Sequence, residues 1–179
     1  VAKNKNKLKR AAVVGAAAGM APDLDILLQS SQDPLFALEV HRQFTHSLLF
    51  IPFGGFIVAS FFWLLFYRKQ PFKPVLWCAT AGYATHGLLD SCTSYGTQLF
   101  WPFTDYRVAW DLIGIIDLFI TIPLLIGIII TCVTNRKTGI AAAAGLFMAY
   151  MGFGAVQHHR ALETVEEQII QGSLEVARI

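Results

Sequence analysis

The segment of residues 41–47 (HRQFTHS) concentrates groups that could do chemistry: two imidazoles, one guanidinium and two hydroxyls. It stands immediately before an apolar run over residues 48–67. Polar groups at the end of a membrane-spanning segment are usually few, paired and functional, because lipid offers them no hydrogen-bond partner. The sequence therefore indicates a binding or catalytic site around His41, Arg42 and His46.

Aspartate and histidine recur at the ends of the other apolar segments. His86 and Asp90 are four residues apart, which places them on one face of a helix. The other members of the set are Asp23, Asp25, Asp111 and Asp117. Imidazole and carboxylate together suit a divalent ion, with zinc and manganese favoured by imidazole and magnesium as a further option. The set is large enough for two ions, or for one ion with outer carboxylates that orient the histidines.

The composition points to a membrane. Of 179 residues, 55% are hydrophobic and only 15% are charged, which is well below the roughly 25% charged residues of a soluble domain. We predict an all-α, polytopic helix bundle, because helices satisfy their own backbone hydrogen bonds in lipid. Residues 1–156 would form the membrane-embedded domain, and residues 157–179 a soluble amphipathic helix. Because the chain starts at Val1 rather than Met, we expect the natural N-terminus to lie upstream.

About five apolar segments make up the predicted bundle. They cover residues 11–28, 48–67, 75–90, 112–134 and 138–156, and residues 48–67 form the clearest span. The first segment has only eleven uninterrupted residues before Pro22, so it is short or re-entrant. Gly15 and Gly19 in this segment form a G-x-x-x-G pattern, which predicts the close approach of another helix.

The basic residues predict how the bundle is oriented. They precede the first segment and also follow the segments that end near residues 67 and 134. Next to membrane spans such clusters mark the cytoplasmic side rather than a nucleic-acid site. With alternating crossings, all the aspartates and histidines named above then lie in the outer half of the membrane. Two interpretations of this cluster remain open, a metal site and a pathway for protons or cations.

Four motifs occur here in a characteristic order. They are Pro22-Asp23-Leu24-Asp25, His41-Arg42-x-x-Thr45-His46-Ser47, His86-x-x-x-Asp90, and residues 93–99 (TSYGTQL) followed by Trp101-Pro102-Phe103. In this the chain resembles the YdjM-type family of bacterial and archaeal inner-membrane proteins over about residues 9–134. The family is described as membrane-bound metal-dependent hydrolases, and also as LexA-binding, membrane-associated hydrolases. Gln43 departs from the family pattern, in which a glycine usually follows His-Arg.

The resemblance implies a hydrolase whose substrate is not defined. We expect it to act at the outer face of the prokaryotic inner membrane on a lipid-linked or phosphate-containing ester. The expected metal ligands are Asp23, Asp25, His41, His46, His86, Asp90 and Asp117, with Asp117 as either a ligand or an outer carboxylate. Asp111 would be the general base, by position only. Arg42 would hold the substrate anion by bidentate hydrogen bonds, or else extend to the membrane interface.

Two other functions use the same residues. A cation or proton transporter would need polar residues that continue toward the cytoplasmic side, but residues 118–130 and 138–156 carry no charge. A membrane protein that binds metal only for stability would need a closed coordination shell. The expected partners are the lipid bilayer and a lipid-like or phosphorylated small molecule, with no nucleic acid.

Overall fold

The structure is a computed structural model that describes residues 2–33, 35–134 and 136–176. In this part of the chain the α-helices are α1 (Ala2–Met20), α2 (Phe36–Val40), α3 (Ile51–Phe62), α4 (Phe72–Asp90), α5 (Leu118–Thr134) and α6 (Thr138–Val176). Short 3₁₀ helices cover Pro22–Leu27 and Phe44–His46, and one π-helical turn, Trp63–Tyr67, continues α3. The described residues form two isolated bridges but no strand. The all-α prediction is therefore confirmed.

Helices α1 and α4 pack in parallel through glycines. A Cβ atom added to Gly19 would lie 3.3 Å from the carbonyl oxygen of Gly82, and one added to Gly82 would overlap the backbone of Gly15. Gly15 in turn faces the carbonyl oxygen of Cys78. Residue numbers therefore increase in the same direction along α1 and α4, which shows that the two helices are parallel. The close approach predicted from Gly15 and Gly19 is confirmed, because small residues let two helix backbones meet.

Helix α3 runs antiparallel to α4 on its other side. Gly54 faces the ring of Tyr83, and Gly55 faces the backbone and side chain of Thr80. Buried small and aromatic residues of the three helices form the core, namely Val14, Ala18, Ala59, Ala79 and Tyr83. Because α1 and α4 point the same way, the residues that follow α1 and those that end α4 lie at the same end of the bundle. The start of α3 joins them there.

Helices α5 and α6 form an antiparallel hairpin. Gly127 lies against Gly139 and Ala143, and Gly154 lies against the backbone of Leu112. Helix α6 continues without a break beyond residue 156 to Val176, which is roughly 33 Å of helix past Gly154. Division of the chain at residue 156 stays a prediction, and residues 177–179 of the predicted C-terminal segment lie outside the described residues.

The helices that could cross a membrane differ from the prediction. Among the described residues, Thr138–Gly172 is long and apolar enough by itself, and little of it is buried in the protein. Phe36–His46 and Ile51–Tyr67 are long and apolar enough to cross a membrane only when taken together, and the chain bends by 85° between them. With one clear candidate span among the described residues, neither the five-segment bundle nor the prediction that residues 48–67 form the clearest span is confirmed. The helix begins only at Ile51, because Ser47 closes a turn instead: its backbone N–H and hydroxyl donate to Phe44 O.

Two other predicted segments have different bounds. Helix α1 begins at Ala2, so it includes the basic residues that were expected to precede the apolar segment. Helix α5 begins at Leu118 rather than near residue 112, because the backbone N–H groups of Leu112 and Ile113 donate to the carbonyl oxygen of Cys92. Residues 91–117 therefore form an ordered loop that folds back along the end of α4.

The glycine contact generates a stability prediction. We expect Gly82→Ala to lower the free energy of unfolding by about 1–3 kcal/mol, because its Cβ would overlap the Gly15 backbone. Gly145→Ala is the matched control, since nothing lies within 4 Å of its Cβ, and it should be neutral or stabilise by up to ~1 kcal/mol. Thermal unfolding of both variants in one detergent measures the difference. Equal midpoints would contradict the α1–α4 packing.

Candidate metal centre

Four side chains converge at the end of the bundle where α1 and α4 finish. Their ligand atoms all lie within 4.8 Å of one another, and they belong to Asp23, His46, His86 and Asp90. His86 Nε2 is 3.1 Å from Asp23 Oδ1 and 3.4 Å from Asp90 Oδ2. His46 Nε2 is 3.5 Å from Asp23 Oδ1 and 3.3 Å from Asp90 Oδ2. Two nitrogens and two carboxylate oxygens thus surround one point.

The atoms at this point fit a cation. His46 Nε2 and Asp90 Oδ2 are buried, and neither has a hydrogen-bond partner in the described part of the protein. Buried polar atoms without partners are rare, so each one needs an explanation. Two imidazoles and two carboxylates are a donor set that zinc and manganese accept. Asp23 is the most exposed of the four, with 53% of its side chain accessible, so the group opens toward solvent on that side.

Asp25 lies behind this group rather than in it. Its buried carboxylate is 2.7 Å from His41 Nδ1, and its other oxygen accepts hydrogen bonds from Thr45 Oγ1 at 2.7 Å and from the backbone N–H of Arg42 at 3.2 Å. Burial disfavours the charged form of Asp25, and these three contacts compensate for the lost hydration of the carboxylate. Asp25 and His41, both predicted as ligands, thus form an outer layer around the four residues.

The outer layer determines which nitrogen of His46 faces the group. Thr45 Oγ1 has one hydrogen and donates it to Asp25, so at 2.9 Å from His46 Nδ1 it is placed to accept a hydrogen bond from that nitrogen. With the proton on Nδ1, Nε2 of the neutral ring is the unprotonated nitrogen, and it points at Asp23 and Asp90. A histidine that binds a metal is held in this way when an outer carboxylate fixes its tautomer.

Arg42 supports Asp90 from inside the protein. Its Nε lies 3.2 Å from Asp90 Oδ2, and Nη1 donates to Thr93 Oγ1 at 3.0 Å. The guanidinium lies over the ring of Tyr95, 4.9 Å from its centroid, and the residue is 8% exposed with a φ of 62°. The guanidinium is thus directed at Asp90 and Thr93 inside the protein, and its predicted role toward a substrate anion or the membrane interface stays a prediction.

Arg107 is a site residue that the sequence reasoning missed. Its guanidinium also lies over the ring of Tyr95, 5.1 Å from the centroid, and Nη2 donates to the carbonyl oxygen of His41 at 3.2 Å. Tyr95 therefore contacts two guanidinium groups, and these contacts join the loop of residues 91–117 to the segment around His41. A basic residue within an aromatic loop was the only sequence signal, and that pattern is equally typical of a membrane interface.

Asp111 and Asp117 are not members of the group of four. Asp117 accepts a hydrogen bond from Tyr150 at 2.9 Å and another from the backbone N–H of Phe119 at 2.9 Å, so it connects α5 to α6. Asp111 is exposed with a φ of 52°. Backbone hydrogen bonds on both sides of it hold it next to the residues that follow Asp90. Both assignments stay predictions.

Comparison with known proteins places the chain in a family. The family described as YdjM inner membrane protein matches residues 1–161, and the chain belongs to it. A relative, the uncharacterized protein YfhP of Bacillus subtilis (strain 168), is 34% identical over 125 residues. This match covers 69% of the chain but only 37% of the relative's length. No solved structure matches. The resemblance seen in the motifs is thus confirmed, and the protein is of an inner-membrane family.

The convergence of four ligand-type side chains predicts metal binding. We expect the purified protein to bind about one divalent ion, and His86→Ala to lose it because a ligand atom is removed. The matched control is His159→Ala, since His159 is exposed on α6, where it pairs with Glu163. Elemental analysis after supplementation with zinc and manganese measures the content. Equal metal in wild type and His86→Ala would contradict the site.

The hydrogen-bond relay to His46 predicts a weaker effect of the outer layer. Thr45→Val removes the hydroxyl that lies between Asp25 and His46, so metal affinity should fall by roughly 10–100-fold. Thr45→Ser keeps the hydroxyl and should restore the affinity. Competition titrations with a chromophoric chelator give the two dissociation constants. A valine variant that binds as tightly as the serine variant would rule out the relay.

Proposed function

We propose that this protein is a membrane-bound, metal-dependent hydrolase acting on a lipid-linked or phosphate-containing ester. The proposal is supported by the convergence of His46 Nε2, His86 Nε2 and two aspartate oxygens on one point. Two of these atoms, His46 Nε2 and Asp90 Oδ2, are buried and form ion-pair contacts but no hydrogen bond in the described part of the protein. Membership of an inner-membrane family supports the membrane location. A divalent ion bound here would supply Lewis-acid activation of water and of a substrate carbonyl or phosphoryl oxygen.

Within this proposal the chain's own residues fall into two layers. Asp23, His46, His86 and Asp90 hold the ion. Asp25 and Thr45 orient His46, while the backbone N–H of Arg42 donates to Asp25 and its guanidinium lies against Asp90. We therefore assign Arg42 to positioning Asp90 rather than to binding the substrate anion. Groups held this firmly keep their geometry during a reaction, which is what electrostatic catalysis requires.

The solvent side of the group is where we place the substrate. Asp23 is half-exposed there, whereas His46 is completely buried. Asp111 is our proposed general base, because its backbone is held close to the end of α4. The N–H groups of Trp110 and Leu112 donate to the carbonyl oxygens of Ser91 and Cys92, each at 2.8 Å. These bonds place the backbone of Asp111 beside the residues that directly follow Asp90. An exposed carboxylate at this position is free to accept a proton from water.

We also propose the arrangement in the membrane. Five apolar segments would cross or enter the bilayer, with basic residues such as Arg68, Lys69 and Lys137 on the cytoplasmic side. Because α1 and α4 are parallel, the four converging side chains belong to the opposite, outer side. Helix α6 supports a membrane-spanning arrangement, because Thr138–Gly172 is apolar and its side chains are mostly not covered by protein. The metal is proposed as zinc or manganese.

The proposed base generates a kinetic prediction. With zinc or manganese bound, the protein in detergent should hydrolyse at least one member of a panel of phosphate esters, phospholipids and acyl esters. Asp111→Asn should lower kcat by roughly 10²–10⁴-fold with metal content unchanged, because a proton acceptor is lost. Asparagine tolerates the positive φ of this position, so the backbone should be preserved. Asp105→Asn is the control, as an exposed aspartate of the same loop.

The outcomes separate the competing functions. Full activity of Asp111→Asn beside an inactive His86→Ala would show that the base is elsewhere. Bound metal with no hydrolysis across the panel would favour a site that serves stability alone. If no metal binds, and the protein moves protons or cations across liposome membranes, the transport function replaces the proposed one.

A further inference from the structure

A cleft of about 660 Å³ lies at the end of the bundle opposite the metal centre. It is lined by the first half of α1, the turn after α3, the start of α4 and the turn before α6, including Lys7, Leu8, Arg10, Tyr67, Val75 and Lys137. The two sites belong to different ends, because α4 contributes Val75 to the cleft and His86 to the metal centre, roughly 16 Å further along its axis.

Positive charge dominates the rim of the cleft. Lys7, Arg10 and Lys137 line it, and an adjoining depression of about 630 Å³ adds Lys9, Arg68 and Lys69. No aspartate or glutamate is among the residues that line either cavity. Six cations without a lining carboxylate create a field that attracts an anion, and phosphate is an anion that lysine and arginine bind well.

The inner wall of the cleft is apolar. Leu8 and Val75 line it, together with Pro71, Pro74 and the ring of Tyr67. A soluble phosphate would leave this surface exposed to water. A phospholipid would cover it with the upper part of an acyl chain, while its headgroup remained at the basic rim, which is the arrangement of lipid sites between helices.

We propose that this cleft binds an anionic phospholipid, with the phosphate at Lys7 and Lys137 and an acyl chain along Leu8 and Val75. Lys7 belongs to α1, and Lys137 to the turn that precedes α6. Helix α1 packs mainly on α4, whereas α6 packs mainly on α5. A lipid held between the two lysines therefore joins the α5–α6 hairpin to the three-helix core. The proposal does not depend on hydrolase activity or on bound metal.

Lipid binding to the full chain in detergent tests the proposal by native mass spectrometry. Dioleoyl phosphatidylglycerol should stay bound to wild type, and Lys7→Gln/Lys137→Gln should weaken its binding by on the order of 10–30-fold. The matched control is Lys73→Gln/Arg136→Gln, which removes the same charge at the same end from residues that line neither cavity. This control should retain the lipid. Dioleoyl phosphatidylcholine, which has no net charge, should bind more weakly to wild type.

Three results would overturn the proposal. Equal losses in the two double variants would show a diffuse surface charge and no site. Equal retention of phosphatidylcholine and phosphatidylglycerol would show that the cleft does not select an anion. Displacement of the lipid by glycerol phosphate at comparable concentration would show a phosphate site that makes no use of the apolar wall. Circular dichroism of each variant establishes that a loss is not caused by unfolding.

Discussion

The carboxylate of Asp25 is the interaction on which the site depends. Its side chain is completely buried, and an isolated buried charge would be strongly destabilising. It is stabilised by His41, by the hydroxyl of Thr45 and by the backbone N–H of Arg42, all from one short segment. The turn that follows α1 is thereby joined to the turn that precedes α3. Without this anion the Arg42 N–H, the Thr45 hydroxyl and the His41 ring would each lose their contact with the turn that follows α1.

The 3₁₀ geometry of Pro22–Leu27 explains why two nearby aspartates have different environments. A 3₁₀ helix turns about 120° per residue, so side chains two positions apart point in clearly different directions. Asp25 therefore enters the protein, while Asp23 stays half-exposed and faces His86. One turn thus supplies an inner carboxylate that orients His46 and an outer carboxylate that joins the converging group. The close approach of Gly87 to the His46 backbone brings the imidazoles together, with ring centroids 4.9 Å apart.

The sequence predicted which residues lie together at this end of the bundle. It did not predict which of them belong to the group of four and which to the outer layer. The i, i+4 spacing of His86 and Asp90 placed both on one helix face, as in the structure. The alternating crossings inferred from the basic residues placed Asp23 and His46 at the same end of the bundle. It could not separate Asp23 from Asp25, because that depends on the 3₁₀ turn. Nor could it foresee that Leu112 and Ile113 would bond to the residues that follow α4, or that Asp117 would accept a hydrogen bond from Tyr150. Helix ends were displaced wherever loop hydrogen bonds replaced helical ones, as at Leu112.

The separation of charge along the bundle follows from helix direction. The parallel helices α1 and α4 pack with backbones that almost touch, which Gly15, Gly19 and Gly82 allow. Once those two helices are parallel, the basic residues at their starts must lie together, and so must the carboxylates and imidazoles at their ends. A larger side chain at Gly82 would therefore disturb more than local packing. It would shift the turn that carries Asp23 relative to the helix that carries His86. The distance between the Asp23 carboxylate and the His86 imidazole, which would bind a cation together, would then change.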